Sequence, residues 1–153
     1  MKKQQSATSG LTKLGRKTTY RFDNPDIRML EAFHNQHPER DYIISFEHPE
    51  FTSVCPITGQ PDFATITLRY VPDVLCVESK SFKLYISAFR NHGAFMEVVT
   101  NKIADDLINL LMPRRLTIDS AFNIRGGTAI SVRVNYLKDD LKKDQKKALK
   151  ELW

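Results

Sequence analysis

The stretch from Phe63 to Val71 constrains this chain more than any other. Ala64, Ile66, Leu68 and Tyr70 alternate with Thr65, Thr67 and Arg69, the pattern that sends successive side chains to opposite faces of a strand. Such alternation suits an antiparallel sheet with one covered face. Three other segments supply neighbours for it. Tyr42 to Glu47 reads as a first strand ended by His48-Pro49, while Leu116 to Phe122 and Ala129 to Leu137 alternate across a turn at Gly126-Gly127. Between the two strand pairs the apolar spacing changes. From Ser79, the residues Phe82, Leu84, Tyr85, Ile86 and Phe89 follow a helical stripe, and Asn91-His92-Gly93 should end it as a glycine cap would. A second helix is expected from about Ala94 to Leu111, with Val98, Ile103, Leu107, Leu110 and Leu111 along one side and Pro113 as its stop. Strand, strand, helix, helix, strand, strand makes an α+β fold: a four-stranded antiparallel sheet with helices on one face.

The flanks have a different character. Residues 1–20 are rich in Lys, Gln, Ser, Thr and Gly, cannot repay the entropy of ordering, and are expected to form a disordered basic arm. Asn24-Pro25 starts a turn or helix, after which Ile27, Met29, Leu30 and Phe33 allow a short helical turn or a loop. Residues 138–153 form a charged tail of helical composition, with docking and floating both open. That leaves 21–137 as a single catalytic-sized domain, in keeping with 153 residues of which 41% are hydrophobic. The formal charge of +5 lies in the flanks: residues 1–21 carry six basic and no acidic side chains, whereas 22–137 carry eleven basic and fourteen acidic. A solvated tail therefore explains the charge better than a stable nucleic-acid partner. No apolar run approaches the roughly 20 residues that cross a bilayer. Two cysteines and no apolar leader fit a reducing cytoplasm.

Chemistry concentrates in Phe51 to Asp62, FTSVCPITGQPD. The Cys55-Pro56 bond cannot continue a strand ladder, so Cys55 belongs on a loop. Gly59 and Pro61 are turn residues able to fold Asp62 back toward the sulfur, giving a nucleophile with a proton shuttle. By spacing alone, a small buried cysteine and a turn carboxylate remain the commoner explanations. Lys80 and Lys83, three apart on a helix, share a face suited to phosphate or simply to water. Arg125 beside Gly126-Gly127 is compatible with phosphate contact or a plain hairpin turn. No Gly-rich strand-to-helix fingerprint accompanies them, and the four histidines do not form a metal-spaced set with Cys55 or Cys76, so no metal is expected.

Four blocks in order carry a resemblance: the Cys55 to Asp62 loop, ESKSFKLY at Glu78 to Tyr85, FRNHGAFME at Phe89 to Glu97, and RGG at Arg125 to Gly127. Across roughly Arg40 to Tyr136 the chain resembles the 7-cyano-7-deazaguanine reductases, the NADPH-dependent nitrile reductases of queuosine biosynthesis. The resemblance implies the tunnelling fold, whose subunits join sheets edge to edge into rings that stack, as in stacked pentamers. It implies Cys55 as the nucleophile that captures the nitrile as a thioimidate, and Asp62 as the proton donor. To donate, Asp62 should be protonated in an apolar or anionic setting. Val77, Glu78, Ser79 and Glu97 would read the deazapurine, and Lys80, Lys83 and Arg125 would hold NADPH. Taken alone, Glu97 is more simply a first-turn helix charge. Position 96 departs from the family, with Met96 where a histidine is usual; a thioether packs against a base but moves no proton.

Two rivals accompany this reading. A tunnelling-fold amidinotransferase acting on the same nitrile in tRNA would use cysteine and aspartate without reductant, and the lysine-bearing ESKSFKLY block argues against it. A non-enzymatic RNA-binding module would rely on the basic arm and have no use for Cys55.

Overall fold

A computed structural model describes residues 10–15 and 17–153. Strands β1 (Ala32–His34), β2 (Ile44–Val54), β3 (Pro61–Val71) and β4 (Leu75–Val77) precede helices α1 (Ser79–Ser87) and α2 (Met96–Leu111). Strands β5 (Arg115–Phe122) and β6 (Ser131–Leu137) and helix α3 (Lys143–Glu151) follow. The main sheet has the order β2-β3-β5-β6, antiparallel throughout, so the expected architecture is the observed one.

Its register explains the alternation in β3. Leu68 lies opposite Phe46 of β2 and Ile118 of β5, and Tyr70 opposite Ile44 and Leu116. This row packs beneath Phe82 and Tyr85 of α1 and Ile103, Leu107 and Leu111 of α2 in one core. Leu68, Ile103, Leu107 and Ile118 are wholly buried. Burial of each such side chain stabilises the fold by roughly 1.5–3 kcal/mol relative to exposure.

Three local expectations are corrected, and one strand pairing is new. β2 does not stop at His48-Pro49 but runs on to Val54, with a register shift between His48 and Phe51. Proline is tolerated there because β2 is a sheet edge and the bulge asks no ladder donor of it. Gly93 does not cap α1, whose C-cap is Ala88; it forms a parallel bridge to Val54 instead. On α2 the inward residue is Val99, while Val98 is 55% exposed. The pairing of β1 with β4 was not foreseen, since three-residue strands are too short to show a period.

Both flanks engage the domain. Thr12 and Lys13, within the arm expected to be disordered, donate backbone N–H groups to the Glu31 carboxylate at 3.1 and 3.2 Å. Residues 1–9 and 16 lie outside the described residues. The C-terminal tail docks: Leu149 is 1% exposed, and the Trp153 ring stacks on the Arg115 guanidinium at 4.0 Å. Trp153 Nε1 also donates to Thr117 Oγ1 at 3.1 Å. Arg115 and Thr117 alternate with the inward Leu116 and Ile118, so α3 lies across the face of the sheet opposite α1 and α2. Among the described residues, no helix is long and apolar enough to cross a membrane.

Candidate functional site

β2 and β3 close on each other at the Cys55 turn. Val54 pairs with Pro61 and Ser53 with Asp62. Beyond them Cys55 N donates to Gln60 O at 2.8 Å, and Gly59 N to Cys55 O at 2.9 Å. Gly59 takes φ 69°, the left-handed geometry that a side chain would resist. The turn is also sewn to the α1–α2 connector: Val54 N donates to His92 O at 3.3 Å, and Ala94 N to Val54 O at 3.2 Å. A Cβ on Gly93 would lie 3.4 Å from Pro56 Cα, an ordinary van der Waals contact, so the connector packs directly against the turn. Two of the sequence blocks, the cysteine loop and the NHG segment, are thus in direct contact.

The thiol is half-buried and activated. The Thr58 hydroxyl, then the backbone N–H groups of Thr58 and Ile57, and last the Arg125 guanidinium favour the thiolate. Together they outweigh desolvation and bring Cys55 down from its ordinary value to about 7. Thr58 was missed from sequence, although a hydroxyl three residues after a cysteine in a tight turn is a signal for such a contact. Asp62 is 5% exposed and faces the helix side of the sheet. Arg125 Nη1 donates to its Oδ1 at 2.6 Å. The setting is cationic where an apolar or anionic one was expected, so in this state the carboxylate is an acceptor. Arg125 is brought there by a two-residue hairpin in which Gly126 and Gly127 take φ 59° and 79°. Arg125 and Thr128 exchange backbone hydrogen bonds across that turn at 3.0 and 3.1 Å.

Ser53, directly opposite Asp62, was also missed. Its Oγ is buried without a hydrogen-bond partner, alone in this among the described residues. An unsatisfied buried hydroxyl costs about 1–3 kcal/mol. Ser53→Ala should therefore stabilise the fold by about 1 kcal/mol. Urea unfolding that shows a comparable loss instead would mean that the hydroxyl is paired in solution.

The other expected residues divide into three groups. Glu97 and Met96 open α2, next to the NHG connector. Glu97 is exposed in the first turn and flanked by exposed Phe95 and Val98, whereas Met96 is 7% exposed and belongs to the core. Glu78 is the N-cap of α1, accepting from Lys80 N and Ser81 N at 2.8 Å each. With Val77, Ser79, Phe33, Phe46 and Tyr70 it lines a largely apolar hollow of about 330 Å³. That hollow lies near the start of β2, and Cys55 follows its end. Ten residues of strand between Ile44 and Val54 span on the order of 30 Å. Within one protomer, then, Glu78 and Cys55 are far apart.

Lys80 and Lys83 enter neighbouring depressions rather than one. Lys80 Nζ donates to Lys13 O at 2.9 Å, in a hollow with Lys17. Lys83 lines a cleft of about 480 Å³ between α1 and the free edge of β2, with His48, Glu50, Arg90, Tyr20 and Phe22. There the Tyr20 and Phe22 rings stack at 6.0 Å, and the Arg90 guanidinium sits 4.8 Å from the Phe22 centroid. The sequence did not place Arg90 and His48 beside Lys83, because nothing local marks them as its neighbours.

Sheet order, helix placement and a thiol beside a buried carboxylate at one sheet end define a tunnelling-fold protein with a candidate thiol site. The fold is shared with the crystal structure of the archaeosine synthase QueF-Like in the apo form, at TM-score 0.57 and 16% identity over 61% of this chain and 91% of that one. Residues 61–141 match the family described as QueF-like protein. A relative from Streptococcus mutans serotype c, named NADPH-dependent 7-cyano-7-deazaguanine reductase, is 52% identical over 92% of this chain and 87% of its own. One of the same name from Bacteroides fragilis is 55% identical over 82% of this chain and 83% of its own. A third, from Nitratidesulfovibrio vulgaris, is 51% identical over 86% and 80%. The chain belongs to this QueF-like family of NADPH-dependent 7-cyano-7-deazaguanine reductases.

Proposed function

We propose that this protein reduces the nitrile of 7-cyano-7-deazaguanine to a primary amine at the expense of NADPH, through a covalent thioimidate on Cys55. The observation that carries the reading is the activated thiol held one hairpin turn from a buried carboxylate. The Cys55 sulfur attacks the nitrile carbon, and one π bond of the C≡N group opens. Its nitrogen gains one proton, which is the proton that the thiol gives up. Asp62, an acceptor in its pair with Arg125, takes the thiol proton first and then hands it to that nitrogen, so the carboxylate ends as it began.

A nicotinamide dinucleotide phosphate is a polyanion with flat rings, and the residues present fit one. Lys83 and Arg90 offer cations beside the stacked Tyr20 and Phe22, His48, kept uncharged by burial, offers a hydrogen-bonding ring, and Lys80 with Lys13 and Lys17 extends the basic surface. When bound, NADPH supplies the hydrides, two equivalents for each nitrile brought to the amine. Lys83→Ala should raise the Michaelis constant for NADPH about tenfold and leave adduct formation at Cys55 intact, and Lys80→Ala should behave likewise. Equal kinetics would return both lysines to the solvent.

Glu78 with Val77 and Ser79, and Glu97 with Met96, are proposed to read the base. Their separation from Cys55 along β2 supports a site composed from two subunits, as do the exposed Ile57, Phe63, Phe95 and Ile124 around the thiol. The free edges of β2 and β6 invite the edge-to-edge pairing that closes a ring. Glu78→Gln and Cys55→Ala subunits, each inactive, should regain activity when assembled together; a mixture that stays inactive would confine the site to one protomer. Cys55 and Cys76 are both free thiols, in keeping with a reducing cytoplasm.

The reading is tested by mixing protein, 7-cyano-7-deazaguanine and NADPH and following the nicotinamide absorbance. The expected result is two NADPH consumed per nitrile. An adduct without NADPH consumption would favour the amidinotransferase, and neither signal would overturn the reading.

A further inference from the structure

The apolar hollow that holds Glu78 is not built from strands and helix alone. Phe33 of β1, Phe46 of β2 and Tyr70 of β3 wall it, and Glu78 brings a polar end from the start of α1. Two further lining residues, Leu11 and Leu14, come from the N-terminal flank. Neither leucine belongs to the core cluster, and Leu14 is 50% exposed. A leucine held half in water at the mouth of an apolar hollow has surface left to bury against whatever enters.

The ties that hold the two leucines there are polar and lie between them. Thr12 N and Lys13 N donate to Glu31 Oε2 at 3.1 and 3.2 Å, and the Thr12 hydroxyl donates to Glu31 Oε1. Lys13 Nζ donates to Met29 O at 2.7 Å and lies 3.4 Å from Glu31 Oε1. From α1, Lys80 Nζ donates to Lys13 O at 2.9 Å. A stretch whose composition cannot order it is thus clasped to the domain, with an apolar side chain on either side of the clasp and both at the hollow.

We propose that Leu11 and Leu14 are the roof of the base subsite, covering one face of the flat heterocycle while Glu78 meets its edge. The inference rests on reading the Glu78 hollow as the place of the base. A bicyclic base has apolar faces and a polar rim, and a hollow of about 330 Å³ with apolar walls and one polar end is built for that shape. A roof touching only the ring face is indifferent to the group on the exocyclic carbon. Its loss should therefore weaken a base with the nitrile and one without it alike.

The test uses the full chain with Cys55→Ala, which isolates binding from chemistry. Affinities for 7-cyano-7-deazaguanine and for 7-deazaguanine are measured by calorimetry with the leucines intact, in L11A/L14A and in L11M/L14M, and NADPH affinity by nicotinamide fluorescence. L11A/L14A should lose about tenfold or more in affinity for both bases. L11M/L14M, which conserves volume and apolar character, should stay within about threefold of the parent. NADPH affinity should stay within about twofold throughout, because the clasp on Glu31 is untouched. With Cys55 restored, the L11A/L14A loss should appear in KM for the nitrile, with kcat changed by less than about threefold. Unchanged base affinity in L11A/L14A would overturn the proposal. A loss of NADPH affinity with base affinity intact would overturn it too, by placing the leucines over the cofactor. If L11A/L14A does not fold, L14S at the half-exposed position decides by the same comparison. Bases that bind regardless of the leucines would defeat the roof alone, whereas a parent that binds neither base would defeat the reading of the hollow and the roof with it.

Discussion

Cys55→Ala should form no adduct with 7-cyano-7-deazaguanine and should lose turnover by at least about 10⁴-fold. The expectation follows from chemistry before structure: a nitrile carbon takes up hydride poorly, and sulfur addition turns it into a reducible C=N bond. In wild-type protein without NADPH, intact mass should rise by the mass of one substrate. The structure adds a pH dependence. The hydrogen bonds from Thr58 and the Ile57 and Thr58 N–H groups lower the thiol to about 7, so the thiolate is populated above that pH and lost as pH falls through it. Iodoacetamide alkylation of Cys55, which needs only the thiolate, should therefore climb through neutrality and level off a unit or so above, whereas adduct formation, which also needs the proton that the thiol gives up, should fall off there. An adduct that persists undiminished in Cys55→Ala would move the nucleophile elsewhere. Cys76 is a poor substitute, since burial pushes its thiol up and it is only 3% exposed beside Tyr42.

Asp62→Asn should slow adduct formation by about 10²–10⁴-fold, the range of a positioned proton-transfer group. The amide keeps the shape of the carboxylate but cannot take the thiol proton or relay it to the nitrile nitrogen. It also ends the ion pair with Arg125, whose side chain is 38% exposed and can turn toward water. The fold should accordingly lose little, and circular dichroism should be unchanged. The discriminating measurement is the single-turnover rate of adduct formation without NADPH. A variant that reacts at the wild-type rate would show that solvent or another residue carries the proton, leaving Asp62 as an anchor for Arg125.

Much of the fold was legible because its signals are local. Alternation from Ala64 to Tyr70, the switch to helical spacing after Ser79 and the paired glycines at 126 and 127 each report a backbone state chosen within a few residues. Where the reading failed, long-range partners had overruled local chemistry. Pro49 sits inside β2 because an edge strand with a bulge needs no donor there. Gly93 pairs with Val54 rather than ending a helix. Thr12 and Lys13 are engaged because Glu31 is in reach, though their composition suggested a free arm.

The amino-acid sequence by itself determined the strand and helix order, the loop position of Cys55 and the turn that returns the chain to Asp62. Four ordered blocks were enough to point to the family. Only the tertiary structure decided who stands beside whom: Arg125 on Asp62, Glu78 as a helix cap far along β2 from the thiol, Arg90 and His48 around Lys83, and Trp153 across the far face of the sheet. The physical reason is the range of the forces involved. Periodicity and turn chemistry act over one or two turns of backbone, whereas a buried charge takes whatever partner the packed sheet brings within hydrogen-bonding distance, here a residue 63 positions away.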